Sequence, residues 1–314
     1  MARSNALAPG SALVVSLVLA VGLSAGACAD RSAAPPARAF DSTSAFGYLE
    51  AQVAMGPRYP GTPGHEQMKR WLDSLARERA DTVIVQDWEQ VTSKGKHLKL
   101  RNVLARFNPQ APKRILYVAH WDTRPFADNA PVAADKLKPV PGANDGASGV
   151  ALLFGVADAL KRARPGIGVD LLFVDGEDFG DFSDSTETLL GSRYYAKHQP
   201  PGGMPLFAVV WDMVGDRDPQ FYHEGNSLLG APEVVNLVWD AARVAGAQAF
   251  QPSPKHTVTD DHTPLQQVGI RAIDVIDFDY PAWHTPDDTI DKVSAATLGQ
   301  VGKVALRVIQ EQEK

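Results

Sequence analysis

Apart from the early Asp170, the run Val169 to Asp178 (VDLLFVDGED) is apolar until it breaks into Asp175, Gly176, Glu177 and Asp178. Adjacent carboxylates at such a point repel unless a cation or a shared proton relieves them. Comparable endings recur along the chain. RILYVA runs into His120-Trp121-Asp122, LFAVVW into Asp212, and Asp145 stands in PGANDGASG just before an apolar helix. His284 follows in Ala282-Trp283-His284-Thr285. Imidazole nitrogens and carboxylate oxygens are ligands for zinc, which at catalytic centres keeps one position open. His120-x-Asp122 also suits a ligand whose other ring nitrogen is oriented by the Asp122 carboxylate. Taken singly, each acid reads as readily as a helix cap or a solvated turn, and each histidine as a surface or hydrogen-bonded core residue. Their joint placement favours a metal site, and the chain's single cysteine, Cys28, argues against a thiolate one.

The elements that must carry these residues alternate. Asp41, Ser42 and Thr43 cap a helix reaching about Met55, and a Pro/Gly loop, Gly56 to Gly64, leads into a helix from His65 to about Arg79. Val83 to Val91 and His97 to Phe107 form a hairpin around Lys94-Gly95-Lys96. Arg114 to Ala119, Val169 to Val174, Leu206 to Trp211 and Ile270 to Ile276 are buried strands. Helices are expected at 150–162, 189–197, 232–245 and 295–312. This order predicts one α/β domain over residues 41–314, a three-layer α/β/α sandwich around a mixed, mostly parallel, twisted sheet. In such sheets ligands bind at the carboxyl ends of the strands, where the candidate ligands stand.

The 314 residues are 44% hydrophobic with a formal charge of −6, so a sizeable core is available and nothing marks a nucleic-acid partner. Residues 1–27 read as a signal peptide, with Arg3, the apolar Ala12 to Leu23 and small residues before Cys28. Cys28 sits where the lipidated cysteine of bacterial lipoproteins sits; cleavage after Ala27 without a lipid is the alternative. Residues 28–40 are Pro/Ala-rich and read as a flexible tether. The chain is thus expected to be exported, on the periplasmic face or as an outer-membrane lipoprotein of a bacterium, touching a membrane only through Cys28. Oligomeric state is not set by these features.

In order, His120-Trp121-Asp122, Gly142-Ala143-Asn144-Asp145, Asp175-Gly176-Glu177-Asp178, Leu190-Gly191-Ser192-Arg193, Asp212, Asp261-His262-x-Pro264 and Trp283-His284-Thr285 resemble the zinc aminopeptidase and glutaminyl cyclase superfamily. The resemblance runs from Phe46 onward, and Pro57-Arg58-x-Pro60-Gly61 resembles the superfamily's loop at the pocket mouth. It implies two rival chemistries. In a two-metal aminopeptidase, His120 and Asp212 would hold one ion, Asp178 and His284 the other, Asp145 would bridge, and Glu177 would act as base for water. In an animal-type glutaminyl cyclase one zinc would sit on Asp145, Asp178 and His284, while Glu177 shuttles a proton with Asp212 and Asp260.

Asp260, before Asp261-His262, is the feature that favours the cyclase, since the superfamily's peptidases commonly carry serine or a similar residue there. Trp283, which the cyclases use to wall the glutamine pocket, favours it too. The blander readings are a helix N-cap for Asp260 and core packing for Trp283. Asp178 departs from the animal cyclases, whose metal carboxylate is a glutamate; Phe179 or Phe182 would replace a tryptophan they carry nearby. The resemblance therefore implies an exported zinc-dependent acyltransferase that converts N-terminal glutamine of peptides or proteins to pyroglutamate and releases ammonia, with the aminopeptidase as alternative. Arg124 and Asp128 read as a surface pair or an entrance lining, and His65, His97, His198, His223 and His256 show no role.

Metabolic labelling with a lipid precursor is expected to mark the wild-type chain and not Cys28→Ser; an unlabelled wild type would contradict lipidation.

Overall fold

The structure, a computed structural model, describes Gly10 and residues 38–314. Apart from Gly10, the expected leader, Cys28 and the tether up to residue 37 lie outside the described residues. Packing begins earlier than the expected Asp41. Arg38 donates to the carbonyls of Ala163 and Arg164 and to Glu313 Oε2, and Phe40 sits against Gly155 and Gly302. Residues 38–40 therefore belong to the packed body and not to a flexible tether.

Helix α1 (Ser42–Val53) starts where Asp41 accepts the N–H groups of Thr43 and Ser44, as an N-cap should. Helix α2 (Pro63–Arg79) has proline in its first turn, where the missing N–H is no loss. The chain continues through β1 (Thr82–Val91), β2 (His97–Phe107), β3 (Arg114–His120), α3 (Ala147–Arg162), β4 (Gly168–Val174), α4 (Leu190–Lys197) and β5 (Ala208–Asp212). A short stretch, β6 (Phe221–His223) and α5 (Gly225–Gly230), precedes α6 (Pro232–Ala245) and β7 (Phe250–Pro254). Then come α7 (His262–Gln267), β8 (Ala272–Ile276) and α8 (Ala295–Glu311). The pair β6–β7 and helix α5 were not expected from the sequence, and β5 and β8 each begin two residues later than expected.

The main sheet runs β1-β2-β4-β3-β5-β8. Its first two strands are antiparallel to their neighbours, and β4, β3, β5 and β8 are parallel. Alternate residues feed opposite faces. Ile115, Tyr117 and Ala119 of β3 join the core built with α2, α3, α6 and α8, whereas Leu116 and Val118 join the core with α4 and α7. The result is the expected three-layer sandwich. The chain leaves β3 for β4 through α3 on one face and reaches β5, on the other side of β3, after α4 on the opposite face. That reversal opens a crevice at the carboxyl ends of β3 and β5, the place where such sheets bind ligands.

Within β4, Asp170 is the lone acid of an apolar strand, and it is buried between Arg106 and Arg114, each with Nε 3.2 Å from Oδ2. Paired burial of this kind keeps a charge tolerable inside a sheet. Among the described residues no helix is long and apolar enough to cross a membrane.

Gly149 lets α3 lie directly on the sheet. A Cβ there would stand 2.2 Å from the Trp211 carbonyl and 2.9 Å from Ala119 Cβ. Gly149→Ala is expected to lower stability in urea by about 1–3 kcal/mol through overpacking; an unchanged midpoint would mean that the helix can lift off freely.

Candidate metal centre

Three strand ends and three loops converge on the crevice. β3 ends in His120 and β5 in Asp212, and the turn after β4 carries Glu177 and Asp178. Asp145 precedes α3, Asp260 precedes α7, and His284 lies in the loop after β8. All seven are buried. Two sets of donor atoms share Asp145, each within 4.8 Å of one another: His120, Asp145 and Asp212, and Asp145, Asp178 and His284; Asp260, His262 and Asp274 form a third.

The two sets differ in how their atoms are satisfied. His120 Nε2 lies 3.1 Å from both Asp145 Oδ1 and Asp212 Oδ1, so these groups already answer one another. In the second set, His284 Nε2 is 3.3 Å from Asp178 Oδ1 and 3.6 Å from Asp145 Oδ2, and Asp145 Oδ2 and Asp178 Oδ2 are buried without a hydrogen-bond donor. Buried, unpaired carboxylate oxygens are costly. Two such carboxylates with an imidazole, their donor atoms within 4.8 Å of one another, fit a divalent cation of the zinc type. The shorter aspartate arm at position 178 is therefore long enough to join this set.

Supporting residues fix each ligand, and several were not read from the sequence. Asp288 accepts the backbone N–H groups of Asn144 and Asp145 and the hydroxyl of Tyr280, so it sets the turn bearing Asp145. Burial, reinforced by Asp145, pushes Asp288 up to about 7. Asp122 was expected to orient His120; its Oδ1 stands 3.6 Å from His120 Nδ1, beyond hydrogen-bond length. Its hydrogen bonds go to the N–H groups of Glu177 and Asp178, at 3.0 and 3.2 Å, so Asp122 chiefly holds the acidic turn.

Asp128 and Arg124 also turn out differently from the surface pair. Asp128 Oδ1 lies 3.3 Å from His284 Nδ1, the position of a carboxylate that orients a metal-binding ring. Arg124 bridges Asp128 to Asp178 Oδ1, at 2.7 Å from the latter. His65, without a role in the sequence, is fully buried, stacks on Trp121 and meets both oxygens of Asp175 at 2.9 and 3.0 Å. Arg58 is buried rather than at a pocket mouth; it donates to the carbonyls of Gln52, Trp121, Pro141 and Gly142. Burial pulls it down to about 10 even though Asp288, Asp122 and Asp145 attract it.

A cavity of about 340 Å³ opens over these groups, lined by Asp145, Glu177, Asp212, Asp260, Trp283 and His284 among others. Burial raises Glu177 well above the ordinary glutamate range; Asp178, Asp260 and Asp261 add to this, while His120 opposes it. Asp212 is raised to about 6, first by burial and further by Asp260 and Asp145, against the pull of His120. Asp260 does not cap α7, as the bland reading had it. Its Oδ1 takes only the N–H of Asp261, and its Oδ2 is buried and unpartnered. Behind it stands Asp274 of β8, fully buried with both oxygens unpartnered, and raised well above normal by burial and then by Asp260 and Asp212. An acid inside the apolar AIDVI was its only sequence signal. Ser192 donates to Asp261 Oδ1, tying two of the motif segments together.

Trp283 is half-buried, tilted against His284 with ring centroids 4.1 Å apart, and lines the cavity while its ring also packs on Phe278. Of the two phenylalanines, Phe182 reaches this cavity and Phe179 does not. Backbone strain gathers here, since Met213, after Asp212, and His284 itself have positive φ.

Residues 102–309 match the family model for peptidase family M28. Glutaminyl-peptide cyclotransferase of Bos taurus is 25% identical over 284 residues, 79% of this chain and 76% of the relative. A glutaminyl cyclase of Bacteroides thetaiotaomicron, solved with N-acetylhistamine, superposes with a TM-score of 0.82 at 36% identity, over 86% of this chain and 98% of that one. A Zn-dependent exopeptidase of Parabacteroides distasonis does so with 0.83 at 34% identity, over 88% and 99%.

Burial disfavours the His284 imidazolium, but Asp178, Asp128 and Asp145 outweigh it and lift the group to about 9. Its proton must leave before Nε2 can take a metal, so zinc affinity is expected to rise about tenfold per pH unit between pH 6.5 and 8.5. Titration of the metal-free protein with zinc measures this; a flat profile would remove His284 from the ligand set.

Proposed function

The chain belongs to peptidase family M28, and from that premise we propose that it is a glutaminyl-peptide cyclotransferase, a zinc-dependent acyltransferase acting on peptide N-termini. The observation that carries the reading is Asp260, which lines the same cavity as Glu177 and Asp212 and leaves one carboxylate oxygen buried and unpartnered instead of capping its helix. Close carboxylates, with Glu177 and Asp212 raised in proton affinity, suit a group that accepts a proton and later returns it.

The residues assign the steps. Asp145, Asp178 and His284 would hold one zinc ion, since of the two sets that share Asp145 this one carries unpartnered oxygens on two carboxylates, while the His120–Asp212 pair is closed on itself. A zinc ion there would supply a Lewis acid for the γ-carbonyl oxygen of glutamine. Trp283 walls the side chain in and holds the α-amine near the carbonyl carbon of the side-chain amide, which by itself supplies much of an intramolecular attack. Glu177 takes a proton from the amine nitrogen as the new C–N bond forms. It returns that proton to the departing amide nitrogen, which leaves as ammonia. Asp212 and Asp260 set how firmly Glu177 holds it in between. The second reading, a two-metal aminopeptidase, draws on the same shared Asp145. An apolar leader ending at Cys28 supports export and a lipid anchor, which would place the enzyme among extracytoplasmic peptides.

Purified protein is expected to convert a glutamine-first peptide into a product lighter by ammonia and to leave a leucine-first aminoacyl reporter intact; a freed amino acid would establish the peptidase instead. Glu177→Gln is expected to reduce cyclisation by at least about 100-fold while zinc content stays unchanged. Loss of zinc from that variant would mean that base and ligand have been exchanged.

A further inference from the structure

The chain that leaves β7 forms one wall of the catalytic cavity with Thr257, Val258 and Thr259 and runs on into Asp260. The turn from β6 into α5 lies along this wall. The Gly225 N–H donates to the His256 carbonyl at 2.8 Å and the Lys255 N–H to the His223 carbonyl at 3.2 Å, and a Cβ on Gly225 would run into the Thr257 hydroxyl. Val258 is held on both edges. Its N–H donates to Glu224 Oε1 at 2.9 Å, and its carbonyl accepts from Asn226 Nδ2 at 2.6 Å.

Glu224 does more than begin α5. A helix cap needs an oxygen for the first free amides, and Ser, Thr, Asp or Asn usually supplies it. Glu224 accepts the N–H groups of Asn226 and Ser227 in that way. Its longer arm also reaches Val258, and Oε2 stands 3.2 Å from Nε2 of His262, the first residue of α7. The carboxylate therefore spans the stretch from Val258 to His262, with Asp260 at its middle. Burial would raise Glu224, but His262 and the amides of Asn226 and Val258 outweigh it and hold the group down to about 2. A buried charge met by donors on several sides is fixed in place. The Asp260 side chain has no such tie, since Oδ1 takes only the N–H of Asp261 and Oδ2 takes none. Its turn is otherwise held by Thr263, which donates to the Asp260 carbonyl, and by Ser192 on Asp261; neither fixes the chain before Asp260.

We propose that Glu224, with Asn226, is a positioning residue for the proton relay, and that by holding Val258 and His262 it sets where the Asp260 carboxylate stands relative to Glu177. Glu224 does not itself line the cavity. A displacement of about 1 Å at a reacting group can cost about 100-fold in rate, so a smaller shift one group behind Glu177 is expected to cost about tenfold. The relay rests on the cyclase reading, so the hold on the Asp260 turn is also measured apart from turnover.

Glu224→Asp keeps an acid that can cap α5 but is one methylene too short to reach Val258 and His262 together. Its kcat for cyclising a glutamine-first peptide is expected to fall about tenfold with KM and zinc content unchanged. Combined with Asp260→Asn it is expected to cause no further loss, because effects that pass through one residue do not add. A wild-type kcat in Glu224→Asp, or the same tenfold loss on top of Asp260→Asn, overturns the proposal. Hydrogen exchange over residues 257–262 of the zinc-loaded protein, followed by mass spectrometry, is expected to be faster in Glu224→Asp than in the wild type; unchanged exchange overturns the proposal as well. Should that variant not fold, Asn226→Ala, which frees the Val258 carbonyl, carries the same expectations. A wild type that releases no ammonia strikes the reaction alone, and the exchange comparison still decides whether Glu224 holds the Asp260 turn.

Discussion

Negative charge buried at one end of a parallel sheet governs this molecule. Asp145, Glu177, Asp178, Asp212, Asp260, Asp261, Asp274 and Asp288 are all withdrawn from water within one region, where the basic groups beside them include His120, His262, His284, Arg58 and Arg124. Burial, with repulsion from neighbouring acids, raises the proton affinities of Glu177, Asp212, Asp261, Asp274 and Asp288. A fold can tolerate that only by taking on protons or by admitting a cation. The same tension provides the chemistry, because it favours metal binding on one side of the cavity and leaves carboxyl groups ready to exchange protons on the other.

The scaffold holds this arrangement through backbone groups more than through ion pairs. Asp288 and Asp122 receive the amides of the turns that carry Asp145, Glu177 and Asp178, and Arg58 gathers carbonyls from the loops before α3. Asn144 and Ser148 accept from the backbone of Gly215 and Val214, so the turn with Asp145 and the turn after Asp212 are set together. Gly146, with positive φ, lets the chain pass where a Cβ would stand 2.5 Å from the Asp122 carbonyl. Side chains fixed in this way lose little freedom when a metal or substrate arrives.

The buried strands and the acids at their ends could be read directly, because a short apolar run ending in a ligand-type residue is a local pattern. The same holds for α1, whose Asp41 cap lies within three residues of what it caps. The supporting groups could not be read. Asp288 reaches a turn 144 residues earlier, and Asp128 gains meaning only when His284 comes to rest beside it. Asp122 was assigned to the nearer partner in sequence, His120, and folding gave it to Glu177 and Asp178. The β6–β7 pair and α5 are too short for periodicity to register.

The most direct test is X-ray diffraction at the zinc absorption edge on crystals of the zinc-loaded protein. One anomalous peak bounded by Asp145, Asp178 and His284, with Glu177 facing it and coordinating nothing, is the predicted result. No peak at that point, or a second of equal height between His120 and Asp212, would contradict a single-zinc cyclase.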